Sequence, residues 1–380
     1  MDYTQEVRAA LDRLGVPVDD SWDTIAGAAI ARIGAKRVNE WEAAPAADRT
    51  RTVLGDADIA VTLGLGYRRS SLEREVPWIL ETLQSHIGAS GESILDIGSG
   101  TGFTASLIAA TTGAEVIATD VVPEALATMT DIADRLGAKI SPSLSPLEDL
   151  GTLVGNQPVT QIVCQKVMGH LQVRHEHNPG FSWITAVQRQ FENSELAGTA
   201  LENLFTASPH VDQVLVIDGS CPERWAALVS VAYRHGFAAD LERSRPLSSS
   251  NWMGHEAAHG FAFVRTVSPQ LPAPEDLLLE IAGEDHWHGD EVHDVLAEMT
   301  RLGFPQMSEK FIRYRPHDGV TLRFEVIDAE GAGVLYGTAS NGDRFLKVFP
   351  LGTSDARGYV DLFNLPDEGI SVEEVDSFAD

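Results

Sequence analysis

Cysteine is nearly absent from this chain, and so is any long run of apolar residues. Two cysteines in 380 residues cannot build a disulfide framework. Cys164 and Cys221 stand in apolar, strand-like contexts and read as reduced, buried thiols of a cytoplasmic protein. No apolar run approaches the roughly 18 residues that suggest a transmembrane helix. The opening MDYTQEVRAALDRLG reads as a charged amphipathic helix without a signal peptide's apolar stretch. Basic residues are scarce, 28 against 56 acids, giving a net charge of −28. Nucleic-acid binding needs a basic stripe to neutralise phosphates, and the densest basic cluster here is only Arg68-Arg69. Anionic membrane surfaces are disfavoured for the same reason. From residue 271 onward the chain has 23 acids and 8 bases, so this tail holds about −15 of the −28. Such a field attracts cationic substrates or simply keeps the protein soluble. No internal repeat is visible.

What the chain does have is a short apolar strand followed by a glycine-rich turn. Residues 94 to 102 read Ile-Leu-Asp-Ile-Gly-Ser-Gly-Thr-Gly. Ile94 to Ile97 suit a strand bounded by turn residues. Gly98, Gly100 and Gly102 permit a tight turn and close approach of a ligand to the backbone. Phe103 to Ala110 continue as an apolar helix whose free N–H groups point back at the turn. A second strand, Glu115 to Thr119, ends at Asp120, placed to accept both hydroxyls of a ribose. A dinucleotide site wants its third glycine five positions after the first. Here that position is Phe103, and the third glycine comes one residue early.

The resulting pattern, Asp96-x-Gly98-x-Gly100-x-Gly102, resembles the first motif of the class I S-adenosylmethionine-dependent methyltransferases, over roughly residues 75 to 267. The resemblance implies S-adenosyl-L-methionine as cofactor. It sets Asp96, Gly98, Ser99, Gly100, Thr101 and Gly102 around it, with Asp120 and Val121 at the ribose. Leu147 and Glu148, in PLEDL after the third strand, fall where that family binds adenine, Glu148 or Asp149 accepting from the amino group.

The organisation expected from pattern is an α/β fold. A doubly wound, Rossmann-like, seven-stranded sheet carries a helical N-terminal cap and a C-terminal α+β, strand-rich accessory domain. The boundaries fall at 1–74 for the cap, 75–268 for the cofactor domain and 269–380 for the acidic accessory domain. In the cap, Val7, Leu11 and Leu14 recur at helical spacing, AAPAADRT reads as a linker, and the region packs as a cap or a dimer contact. Leu72 to Ile87 reads as a helix in which Pro77 marks an early turn or kink. Strands are expected at 93–97, 115–119, 139–143, 159–164, 211–217, 237–243 and 260–267, the last two as a terminal hairpin with the last strand antiparallel. A helix opening with Pro123 follows the second strand. Beyond Pro269 come a helical stretch, a set of short strands over 309–365 separated by Asp-Gly, Glu-Gly and Asn-Gly turns, and an acidic end, 366–380, expected to be partly disordered.

Reacting groups in such sheets lie beyond the carboxyl ends of the strands. After the fourth strand stands Gln165-Lys166-Val167-Met168-Gly169-His170, the substrate-facing loop of the resembled family. It lacks the Asn-Pro-Pro-Tyr of base and glutamine methylation. It loosely echoes the Ser-Glu-x-Met-Gly-Tyr loop of protein arginine methyltransferases, with Gln165-Lys166 in place of Ser-Glu. His170 is the candidate general base, because its ordinary pKa is near neutral; the alternative is a helix cap. Gln165 is a candidate on both the catalytic and the cofactor side. Tyr67, Arg68, Met168, Trp183 and Asp218 are the candidate substrate residues. The insertion carrying Phe181, Trp183, Phe191 and Phe205 reads either as a lid or as the apolar face of a helix. His255-Glu256-Ala257-Ala258-His259 matches a zinc-binding pattern, but glycines flank it and it leads directly into a strand. No metal site is assigned. The reading is methyl transfer to a small molecule, amino-acid-like or cationic, in specialised biosynthesis. A protein or peptide target of the arginine type and a non-catalytic cofactor-binding scaffold are the alternatives.

Overall fold

Ser93–Ile97 (β1) is apolar at Ile94, Leu95 and Ile97, and every residue in it is buried. It pairs in parallel with Glu115–Asp120 (β2) on one side and Val159–Gln165 (β4) on the other. The computed structural model that shows this describes residues 2–19, 21–84, 93–155, 158–165, 167, 198–218, 222–248, 258–267, 308–315, 320–329, 332–339, 344–350 and 371–378. Ile140–Leu144 (β3) pairs with β2, and Gln213–Asp218 (β5) with β4, again in parallel. Three further strands are Phe237–Ala239 (β6), Arg245–Ser248 (β7) and Ala258–Arg265 (β8). The sheet order is β3-β2-β1-β4-β5-β8-β6, with β7 paired to β8 off this path. This is the expected doubly wound α/β sheet. Two details differ from expectation. The strand β7 lies between the two strands expected as a terminal hairpin, which are neighbours as β8 and β6, and β6 ends at Ala239 instead of residue 243.

The chain divides into two compact units. The first comprises Met1–Met168, Thr199–Ile217 and Gly260–Val267, the second Gly169–Gly198, Asp218–His259 and Ser268–Asp380.

In the first unit, six helices precede β1 among the described residues. Tyr3–Leu14 (α1) opens with Asp2 accepting from Gln5 N at 3.3 Å and buries Val7, Leu11 and Leu14. Trp22–Ile33 (α2) and Ala35–Ala43 (α3) follow. The stretch read as a linker shrinks to Ala44-Pro45, because Pro45 caps Ala46–Gly55 (α4) and alanines favour the helix. A short α5 (Ala57–Ile59) runs into a π-helical turn, Ala60–Gly64, and then into Leu65–Gln84 (α6). Pro77 lies inside α6 instead of near its start. Val76, Trp78, Ile79 and Leu80 around it are all buried, and that packing overrides a local cost of roughly 3 kcal/mol.

Polar ties fasten this layer down. Arg69, 7% exposed, donates to the carbonyls of Val16 and Pro17, to Asp12 and to Glu73, locking α1 against α6. Asp58 takes both Arg32 and Arg135, the latter from Ala125–Leu136 (α8) on the sheet. Pro123 precedes α8, in the turn before its first residue, so the expected proline start is displaced by two positions.

In the second unit, Pro222–Arg234 forms a helix. Five strands build an antiparallel sheet: Ser308–Arg315 (β9), Val320–Ala329 (β10), Ala332–Ala339 (β11), Arg344–Pro350 (β12) and Ser371–Phe378 (β13), ordered β12-β11-β10-β9-β13. The end expected to be partly disordered therefore contains a strand. Its register sets Val372 opposite Arg313 and Val375 opposite Lys310. The segment GYVDLFNL lies outside the described residues.

Candidate functional site

The turn after β1 is set by packing. Gly98 has φ 65°, and a Cβ there would fall 2.2 Å from Val167 Cγ2. Gly100, at φ 54°, is different: the nearest side-chain atom a Cβ would meet is Leu54 Cδ2 at 3.7 Å. Gly100 thus has room in front of it, while Gly98 has none. Ser99 N donates to Thr119 O at 2.8 Å and Gly102 N to Ser99 O at 2.8 Å, which folds the turn back before Phe103–Thr112 (α7) begins.

Two carboxylates flank this turn. Asp120, at the end of β2, is 8% exposed. Its Oδ2 accepts from Gly100 N at 2.9 Å and its Oδ1 from Val122 N at 2.9 Å. Backbone donors fix the group, and each oxygen keeps a lone pair for a further donor. Asp96 is 1% exposed, and its Oδ2 has no hydrogen-bond partner among the described residues. Burial pushes its pKa up to about 7, the charge of Asp120 adds to this, and a hydrogen bond from Ser99 opposes it.

A cavity of about 140 Å³ opens here. Its sheet-side wall is Asp96, Gly98, Ser99, Gly100 and Thr101, continued by Phe103 and Thr104 of α7 and by Gln165 at the end of β4. The opposite wall comes from the N-terminal helices: Val53 and Leu54 of α4, Gly64 of the π-turn, and Leu65, Arg68 and Leu72 of α6. Gln165 is held at both ends of its amide. Oε1 accepts from Thr104 Oγ1 at 2.8 Å and Nε2 donates to Glu75 Oε2 at 2.5 Å. Arg68 Nη2 stands 3.4 Å from the same Glu75 oxygen.

Sequence reasoning named Gln165 and Arg68 but missed Glu75, Thr104 and the α4 side of the wall. A signal for Glu75 was present: Arg68, Leu72 and Glu75 recur at i, i+4 and i+7, one face of a helix.

The other candidates are dispersed. The Tyr67 ring stacks on Trp22 at 5.7 Å and lies 6.3 Å from Trp41, within the helical layer. Val121 is 64% exposed just after Asp120. Leu147 is buried and Glu148 exposed in a 3-10 turn, Leu147–Asp149, whose first two carbonyls accept from Asn203 Nδ2 at 3.1 and 3.0 Å. Asn203 and Phe205 belong to Gly198–Thr206 (α10, after the short helix α9, Leu150–Val154). Phe205 is 2% exposed and meets Phe263 edge-on at 5.6 Å, so of its two readings the helix face holds. Asp218 is buried at the end of β5. His259 lies within β8, where residues four apart do not share a helical turn. Met168, His170, Trp183, Phe181, Phe191, Cys221 and His255 lie outside the described residues. No described helix is long and apolar enough to cross a membrane.

The cavity suits a ligand with several hydrogen-bonding groups. Asp96 Oδ2 and Arg68 Nε are buried without partners among the described residues, and a Cβ at Gly100 would meet Leu54 Cδ2 only at ordinary contact distance, 3.7 Å. Residues 94–187 match a family model described as a methyltransferase domain. No curated protein matches the chain. Among solved structures it is similar to magnesium protoporphyrin IX methyltransferase from Synechocystis PCC 6803, at 14% identity over 61% of this chain and 96% of that one, with a TM-score of 0.40. It is also similar to a putative RNA methyltransferase from Pyrococcus horikoshii (16% identity, 51% and 83% covered, TM-score 0.36). A third is a ribosomal-protein methylase from Lactobacillus delbrueckii subsp. bulgaricus (15%, 51% and 80%, TM-score 0.32). None of the three lends its substrate to this chain. The domain match falls on the strand, turn and carboxylate just described, so this part of the chain is a methyltransferase domain that uses S-adenosylmethionine.

Proposed function

We propose that this enzyme methylates a small molecule, amino-acid-like or cationic, in specialised biosynthesis in the cytoplasm. We further propose that residues 1–74 act as a cap on the cofactor domain, 75–268, with 269–380 as an accessory domain. The observation that carries the reading is the helical wall. Val53, Leu54, Gly64, Leu65 and Arg68 close the cavity opposite the glycine turn, which favours an enclosed site over an open platform for a polymer. The net charge of −28 supports the same choice, since a polyanionic substrate would be repelled.

Bound in this cavity, S-adenosylmethionine supplies an electrophilic methyl group on a sulfonium. Asp120, already oriented by two backbone N–H groups, would hold the ribose hydroxyls, with Val121 beside them. The turn from Asp96 through Gly98, Ser99, Gly100, Thr101 and Gly102 would carry the adenosyl group. Leu147 and Glu148 would meet the adenine. Gln165 would face the reacting end, and His170 would accept a proton from the incoming nucleophile. Tyr67, Arg68, Met168, Trp183 and Asp218 remain the candidate substrate contacts.

Methyl-label transfer to a small-metabolite extract, run beside a protein fraction, tests the substrate class. Label is expected in the metabolites; label in protein alone would move the target to a polypeptide. His170→Ala should cut turnover and leave cofactor affinity alone, and wild-type turnover would remove it as the base.

A further inference from the structure

Glu75 touches two groups of the cavity wall and has no role in the reading above. It is 1% exposed on α6. Its Oε2 accepts from Gln165 Nε2 at 2.5 Å and lies 3.4 Å from Arg68 Nη2. The far end of the Gln165 amide accepts from Thr104 Oγ1. A threonine hydroxyl donates or accepts equally well and cannot by itself set which way an amide points. A carboxylate only accepts, so Glu75 decides it. The amide then keeps one Nε2 hydrogen and one Oε1 lone pair beyond the two bonds described, and it lines the cavity.

Arg68 lines the same cavity, and its Nε is buried without a partner among the described residues. The long 3.4 Å contact with Glu75 steadies this cation without occupying the whole guanidinium fork. One cation with spare donors and one carbonyl with a spare lone pair therefore share a wall. Their complement is a carboxylate next to an ammonium.

We propose that Glu75 is a positioning residue for the amino-acid end of the cofactor. It turns the Gln165 carbonyl toward the ammonium and steadies Arg68, which on this assignment serves the cofactor's carboxylate in place of the substrate. The inference rests on the S-adenosylmethionine reading.

Two thioethers separate the two ideas. S-adenosylhomocysteine carries the amino-acid end, and 5′-methylthioadenosine lacks it. Calorimetry on the full chain is expected to show wild type preferring the former. Glu75→Gln should shrink that preference about tenfold, the scale of one charge-assisted hydrogen bond, with methylthioadenosine affinity unchanged. Glu75→Asp should recover part of it. Arg68→Ala, at a partly exposed side chain, should shrink it too, and it decides alone if Glu75→Gln does not fold. An unchanged preference, or equal loss for both ligands, overturns the proposal. Equal wild-type affinity for the two ligands also overturns it and leaves the cofactor reading standing. Binding of neither removes the cofactor reading and the proposal together.

Discussion

The cavity has one wall made of backbone and one made of side chains. On the sheet side, Gly98 to Thr101 present main chain, steadied by Asp120 through the Gly100 N–H. On the helical side, Val53, Leu54, Leu65, Arg68 and Leu72 present what their helices happen to turn inward. A backbone wall is specified by residue type at fixed spacing, because only glycine tolerates the turn. A side-chain wall is specified by helical phase, which depends on where each helix starts. Ligand affinity should reside mainly in the first wall and enclosure in the second.

The strongest test of this contrast is Asp96→Asn. The raised pKa means that the folded protein holds a proton which the unfolded chain releases. Wild-type stability is therefore full below pH 4 and is lost as pH rises to about 7. At pH 8 the variant should be more stable than wild type by up to roughly 4 kcal/mol, converging with it toward pH 4. Denaturant unfolding across this range checks it, and parallel profiles would clear Asp96 of the effect. Asp120→Ala comes next: S-adenosylhomocysteine should bind about 1.5–3 kcal/mol more weakly by calorimetry. Unchanged affinity would break the assignment of binding to the sheet-side wall. On the other wall, a Cβ at Gly64 would sit 2.6 Å from Val53 Cγ1. Gly64→Ala should cost on the order of 1 kcal/mol in unfolding experiments, and Val53→Ala in the same chain should return most of it. The smallest effect belongs to Asp58→Ala. It releases Arg32 and Arg135 at a half-exposed site, for at most about 1 kcal/mol that fades in high salt.

The same contrast decides how much was legible in the sequence. The run from β1 through the glycine turn to Asp120 could be read directly, since strand, turn and acid each have a local signature. Strand β7 could not, because Arg-Pro-Leu-Ser has no alternation to betray it. The start of α6 was missed by seven residues: Leu65 to Ser71 mixes glycine, arginine and serine, and only burial against α1 and the core makes it helical. Glu75 stayed hidden because a single acid in a helix normally faces water. In β13 the acids suggested disorder, but the segment is a strand paired with β9.

The π-helical turn at Ala60–Gly64 accommodates one residue more than an α-helix would over the same rise. Were the stretch to rewind as regular α-helix with the same number of residues, everything downstream would swing by about 100° around its axis. Arg68 and Leu72 would turn away from the cavity, and Glu75 from Gln165. The wide turn, more than the composition of those five residues, therefore sets which face of α6 meets the cavity.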